Sequence, residues 1–138
     1  MIQGRDIVVT GLQNYNISIG SNCVNIAKEF AKHNRVLYVN YPLDRITSFR
    51  NPSHKIVKKQ KSVIKGEEPS LHKAANNIWV LEPPVLLESI SKIKPAWIFD
   101  ILNKINNKRY AAEINRVISQ LNFKDFILFE DGDIYRSF

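Results

Sequence analysis

The chain has 138 residues, a formal net charge of +7, 44% hydrophobic and 10% aromatic content, the size and balance of one globular domain with its own core. It contains no apolar run long enough to span a membrane, and Gln3, Gly4, Arg5 and Asp6 interrupt any signal-peptide core at once, so a cytoplasmic location is predicted. A single cysteine, Cys23, excludes a disulfide framework.

Residues 6–10 (Asp-Ile-Val-Val-Thr) form a short β-branched run and predict the first strand, followed by a polar, glycine-containing loop over 11–20. From Ser21 the period turns helical. Cys23, Ile26, Ala27, Phe30 and Ala31 share one face, with Asn25, Lys28, Glu29 and Lys32 on the other, which puts the thiol in the core. Ser21 or Asn22 suits the N-cap, and Asn34 suits a left-handed position closing the helix. Residues 35–40 (Arg-Val-Leu-Tyr-Val-Asn) predict a second strand, completing a right-handed βαβ unit with parallel strands. Such sheets take ligands outside the carboxyl ends of their strands, where strand order reverses, which directs attention to residues 11–21 and to Asn40 onwards.

The positive charge is concentrated in one patch. Residues 45–65 hold seven Lys or Arg and no Asp or Glu, leaving 13 of each sign elsewhere. Asn51-Pro52 predicts a helix start, with Ile56, Val57, Gln60, Val63 and Ile64 on one face, Lys55, Lys58, Lys59 and Lys61 on the rest, and Gly66 at the end. A basic amphipathic helix is either a solvated face packed on the sheet or a surface for an anionic membrane. Nucleic acid is disfavoured, because the patch lacks interleaved aromatics and no nucleic-acid-binding motif accompanies it.

Residues 67–76 read as a polar connection and 77–82 (Asn-Ile-Trp-Val-Leu-Glu) as the third strand, stopped by Pro83-Pro84. Residues 85–94 carry too weak a period to assign, although Leu86, Leu87, Ile90 and Ile93 are compatible with a short helical piece before Pro95. From Pro95 a helical period runs through Ile98, Ile101, Leu102 and Ile105, and later through Ala112, Ile114, Val117, Ile118 and Leu121. Asn106-Asn107 leaves open one long helix or two in tandem. Residues 126–129 (Phe-Ile-Leu-Phe) predict a fourth strand, buried on both faces, which delivers Glu130, Asp131, Gly132 and Asp133 to the edge of the first loop. A further helix begins at Ile134, so Phe138 is predicted to be a fragment boundary.

No G-x-G-x-x-G turn follows the first strand and no P-loop lysine is present, which argues against nicotinamide, flavin and ATPase chemistry. His33, His54 and His72 lack metal-ligand spacing, so neither a metal nor a cofactor is predicted. Gly20, Ser21 and Asn22 stand at the amino end of the first helix. Free N–H groups there suit a phosphate, and equally make an ordinary capped helix. Asp131, Asp133 and Glu130 suit sugar hydroxyls or a general base, and equally a turn.

The run from Ile19-Gly20 through Asn25-Ile-Ala-Lys-Glu-Phe-Ala-Lys-His-Asn-Arg-Val-Leu-Tyr-Val-Asn40, followed by Pro42-Leu-Asp-Arg45, Ile78-Trp-Val-Leu-Glu-Pro83 and Phe126-Ile-Leu-Phe129, resembles the amino-terminal domain of bacterial GT-B glycosyltransferases, family 4 type, of surface-polysaccharide biosynthesis. The resemblance implies a Rossmann-like three-layer αβα fold with a parallel sheet over residues 1–138, the acceptor-side half of a cleft whose carboxyl-terminal donor domain lies outside this chain. It implies a nucleotide-sugar donor and a saccharide or lipid-linked acceptor, with Gly20, Ser21 and Asn22 toward the donor phosphate and Asn40 and Asp131 toward the acceptor. It also gives the basic helix, through Lys55, Lys58, Lys59 and Lys61, a place at the inner face of the membrane. Such a half-cleft is expected to be folded and inactive. The competing expectation is a free-standing α/β module that docks on an anionic membrane or an acidic partner through residues 45–65. A sugar-nucleotide-modifying enzyme with a variant dinucleotide loop is the third.

Overall fold

The computed structural model describes residues 3–11, 15, 22–89 and 95–131, with Gly11, Asn22 and Asp131 described by their backbone. The elements are β1 (Asp6–Gly11), α1 (Asn22–Phe30), β2 (Arg35–Val39), β3 (Leu43–Asp44), α2 (Arg45–Arg50), α3 (Lys55–Ile64), β4 (Leu71–Ala75), β5 (Ile78–Leu81), β6 (Leu86–Leu87), α4 (Ala96–Leu121) and β7 (Ile127–Asp131). The main sheet runs β4-β5-β2-β1-β7, and β3 pairs with β6 in a separate two-stranded sheet. β5, β2, β1 and β7 are mutually parallel.

Alternation along the strands builds a core on each face. Ile7 and Val9 of β1 pack with Cys23, Val24, Ala27 and Ala31 on the α1 side. Val8 packs with Tyr110, Ile114, Val117 and Ile118 of α4 on the other. Central strands covered on both faces explain the continuous apolar runs in the sequence.

Several expectations are corrected. The sheet is mixed, because β4 runs antiparallel to β5 in the segment predicted as a polar connection. Asn77, at φ 60, makes the tight turn between them, the left-handed position that asparagine tolerates in hairpins. β7 is half-buried along Ile127, Leu128 and Phe129, since it pairs only with β1 among the described strands. Asn34 does not adopt a left-handed backbone; its buried side chain accepts from the Arg5 N–H (2.9 Å) and donates to the Phe30 carbonyl (2.9 Å). Asn51-Pro52 does not open a helix. Asn51 closes α2, a short helix absent from the sequence reading, and His54 caps α3, its Nδ1 accepting from the Ile56 N–H at 3.2 Å. Leu86 and Leu87 form β6 rather than a helical turn, while residues 90–94, including Ile90 and Ile93, lie outside the described residues, as does the helix predicted from Ile134.

The open question over α4 resolves to one helix, which ends at a left-handed Asn122 (φ 56) with the Phe123 N–H donating to the Ile118 carbonyl at 3.0 Å. Asn106 does not break it. Its buried amide clamps the backbone of Glu88, accepting from the N–H and donating to the carbonyl, both at 2.8 Å. The Glu88 carboxylate reaches Arg45 at 2.7 Å and Arg109 at 3.3 Å, and the Arg45 guanidinium foremost holds it below the usual carboxylate range. At the amino edge of the sheet, Asp6 accepts two bonds of 2.8 Å from Arg35 and one of 2.8 Å from the Lys124 N–H.

Candidate functional site

The parallel strands end together at Gly11, Val39, Leu81 and Asp131. β2 and β5 lie on one side of β1 and β7 on the other, so the order reverses at β1. Sheets of this kind usually take their ligands beyond the carboxyl edge at such a reversal.

Two buried polar residues stand at that edge. Asn40 and Glu82, 3% and 4% exposed, follow β2 and β5 directly, and the Asn40 N–H donating to the Leu81 carbonyl at 2.9 Å carries the ladder one residue further. Alternation sets both side chains on the α1 side of the sheet, with Tyr38 and Val80. The Asn40 amide donates to Glu82 Oε2 at 2.8 Å and accepts from the Tyr15 N–H at 2.8 Å. The Tyr15 ring meets Tyr38 edge-on, with centroids 5.4 Å apart. Asn40 thus couples Tyr15 to the end of the third parallel strand.

The second carboxylate oxygen of Glu82, Oε1, is buried and has no hydrogen-bond partner among the described residues. Gln60 of α3 approaches the Glu82 carboxylate as a weak donor, while its amide also donates to the Tyr41 carbonyl at 2.9 Å. Burial pushes the Glu82 carboxyl above the usual range; the bond from Asn40, the Lys59 charge and Gln60 pull back only in part. Burial, then the same Lys59, lowers the imidazolium pKa of His72, which sits opposite Val80 on β4. A carboxyl moved toward its neutral form changes role with its proton. Protonated it donates to a hydroxyl or carbonyl, and ionised it accepts the proton of a nucleophilic hydroxyl.

No protein-family model, curated protein or solved structure matches the chain.

Of the residues expected at the site, Asn40 and the backbone of Asp131 stand at the carboxyl edge, and Asp131 pairs with Gly11 across β7 and β1. Asn40 spends both ends of its amide inside the protein. Asn22 is the first residue of α1. Gly20, Ser21 and Asp133 lie outside the described residues. On α3, Lys55, Lys58 and Lys59 are exposed, whereas Lys61 is half-buried and donates to the Ser48 carbonyl at 3.1 Å. Glu82 was not singled out from the sequence. Its signal was a charge directly after an apolar run and before Pro83-Pro84, at the end of a strand where these sheets bind ligands.

Other features are less suited to chemistry. An open groove of ≈ 830 Å³ lined by Gly4, Arg5, His33, Lys124 and Asp125 lies at the amino edge, at the other end of the strands from Asn40 and Glu82. Among the described residues no group of three or more His, Cys, Asp or Glu is arranged to hold a metal, and no helix is long and apolar enough to cross a membrane.

Proposed function

We propose that the chain is the acceptor-side domain of a glycosyltransferase of the GT-B type, a Rossmann-like half-cleft that holds a saccharide or lipid-linked acceptor while a second domain holds the nucleotide sugar. The observation that carries this reading is the paired Asn40 and Glu82 at the carboxyl edge, with one Glu82 oxygen buried and uncommitted among the described residues. A strand order that reverses at β1, with Gly11 beside Asp131, supports it. So does the spread of helices over both faces of a mostly parallel sheet.

In this reading Glu82 receives the acceptor hydroxyl, and its raised pKa brings proton transfer toward neutral pH, where a general base works best. Asn40 is a positioning residue that fixes the Glu82 carboxylate and, through Tyr15, the loop leading to the donor phosphate. The leaving diphosphate is neutralised by groups on the second domain and by the amino end of α1 around Gly20, Ser21 and Asn22. Proximity of the two substrates supplies most of the acceleration, so one half of the cleft does not catalyse transfer.

The test is ligand-observed NMR on the 138-residue chain with a panel of neutral saccharides, UDP- and GDP-sugars, NADH and ATP, alongside a transfer assay. Saturation transfer to one or more saccharides, weak signals from nucleotide sugars and no product are expected. Saturation confined to NADH or ATP, or sugar transfer by the chain alone, would overturn the proposal.

A further inference from the structure

The basic segment differs from the single helix that the sequence suggested. α2 and α3 are two separate helices joined by a bond from the Lys61 ammonium on α3 to the Ser48 carbonyl on α2 at 3.1 Å. α2 is capped by Asp44, whose carboxylate accepts from the Thr47 N–H at 2.7 Å, yet none of its residues is buried. On it Phe49 is 86% exposed, with Ile46 at 42% and Ile56 of α3 at 41%. Phe49, Ser48, Pro52 and Lys61 line one shallow depression between the two helices.

The segment that carries these apolar side chains is cationic. Arg50, Lys55, Lys58 and Lys65 are exposed, and no Asp or Glu occurs from 45 to 65. Lys58, Lys61 and Lys65 recur at three- and four-residue spacing, so Lys58 and Lys65 share a flank of α3 with Lys61. Lys59 falls on a different flank, where its charge acts on Glu82 and His72. A large apolar side chain held out in water on a segment with seven cations and no acid matches one environment in particular. Anionic lipid headgroups take up the cations while the acyl boundary takes the ring.

We propose that α2 and α3 form a docking face for an anionic lipid bilayer, with Phe49 as the inserted anchor and Arg50, Lys55, Lys58 and Lys65 as the headgroup contacts. Lys61 braces the two helices instead of meeting lipid. The face does not depend on sugar transfer, because neither Glu82 nor Asn40 belongs to it.

The experiment is co-sedimentation of the 138-residue chain with phosphatidylcholine vesicles, with and without about 30% phosphatidylglycerol. Binding is expected only with the anionic lipid, and weaker as salt rises. Phe49→Ser should weaken binding about tenfold. Lys58→Gln with Lys65→Gln should weaken it about 25-fold, at roughly fivefold per cation. A charge-matched control, Lys104→Gln with Lys108→Gln on exposed positions of α4, should change it far less. Circular dichroism of each variant checks that the fold is kept. Binding that ignores Phe49, binding lost equally in the control, or no binding to anionic vesicles at low salt would overturn the proposal. Tight binding to a duplex oligonucleotide in place of vesicles would overturn it in favour of nucleic acid.

Discussion

Replacing Asn40 by alanine removes two bonds at once: the acceptor for the Tyr15 N–H and the donor to Glu82, both at 2.8 Å. Both sit at a residue 3% exposed, so water cannot substitute freely. Losing the neutral bond costs about 1 kcal/mol and leaving a buried carboxylate oxygen unpaired costs about 2 kcal/mol more, a total near 3 kcal/mol or a Tm lowered by roughly 10 °C for a domain of this size. The deficit should depend on pH. Burial raises the folded Glu82 carboxyl above its ordinary value of 4.5, so the folded state binds its proton more tightly than the unfolded chain. Glu82 therefore favours folding fully below the ordinary value, and that contribution is lost as pH rises through its folded pKa. Asn40 is one of the groups that lower this pKa, so its loss steepens the decline. Urea denaturation of both proteins at pH 4.5 and 7.5 should give the larger difference at 7.5. Equal differences at the two pH values, or a loss below about 1 kcal/mol at 7.5, would refute the coupling of Asn40 to an ionising Glu82.

Arg35→Leu withdraws two bonds from Asp6, which is 8% exposed, and should cost about 2 kcal/mol in urea denaturation, moderated because the arginine itself is 41% exposed. Asn106→Leu strips both backbone partners from Glu88. Faster hydrogen exchange at the Glu88 amide should accompany a loss of about 2 kcal/mol, whereas unchanged exchange would mean that the clamp does not hold residues 86–89. Cys23, 3% exposed between α1 and the sheet, should react with a thiol reagent only as fast as the protein opens, and Cys23→Ser should destabilise it measurably.

The parts of the fold governed by local period were legible in the sequence. β1, β2 and β5 were placed within one residue at each end, because their apolar residues are buried by the sheet they define, whereas α1 ends at Phe30, short of the predicted close at Asn34. What escaped was written in pairings between distant segments. β4 has the burial of an edge strand, with Leu71 and His72 half-buried and residues 73–75 exposed, so no alternation marked it. Its only signal was the Asn76-Asn77 turn. α2 buries nothing, and β6 takes its partner from β3, 43 residues away, so neither leaves a periodic trace. Asn106-Asn107 left a break in the helix open, yet the Asn106 amide clamps the backbone of Glu88, a role set by tertiary contact. At the candidate site Asn40 was legible from its position after β2. Glu82 was legible only through its neighbours, since a glutamate gains chemical interest from burial beside Asn40, and burial is a property of the folded chain.

The most direct test of the acceptor-site account is protein-observed ¹⁵N NMR of the 138-residue chain, titrated with whichever saccharide gives the strongest saturation transfer. The account predicts shifts concentrated at the carboxyl edge, in the amides of Gly11, Tyr15, Asn40, Glu82 and Asp131, and their loss in Glu82→Ala. Shifts gathered instead around Gly4, Arg5, His33 and Asp125 at the amino edge would contradict it.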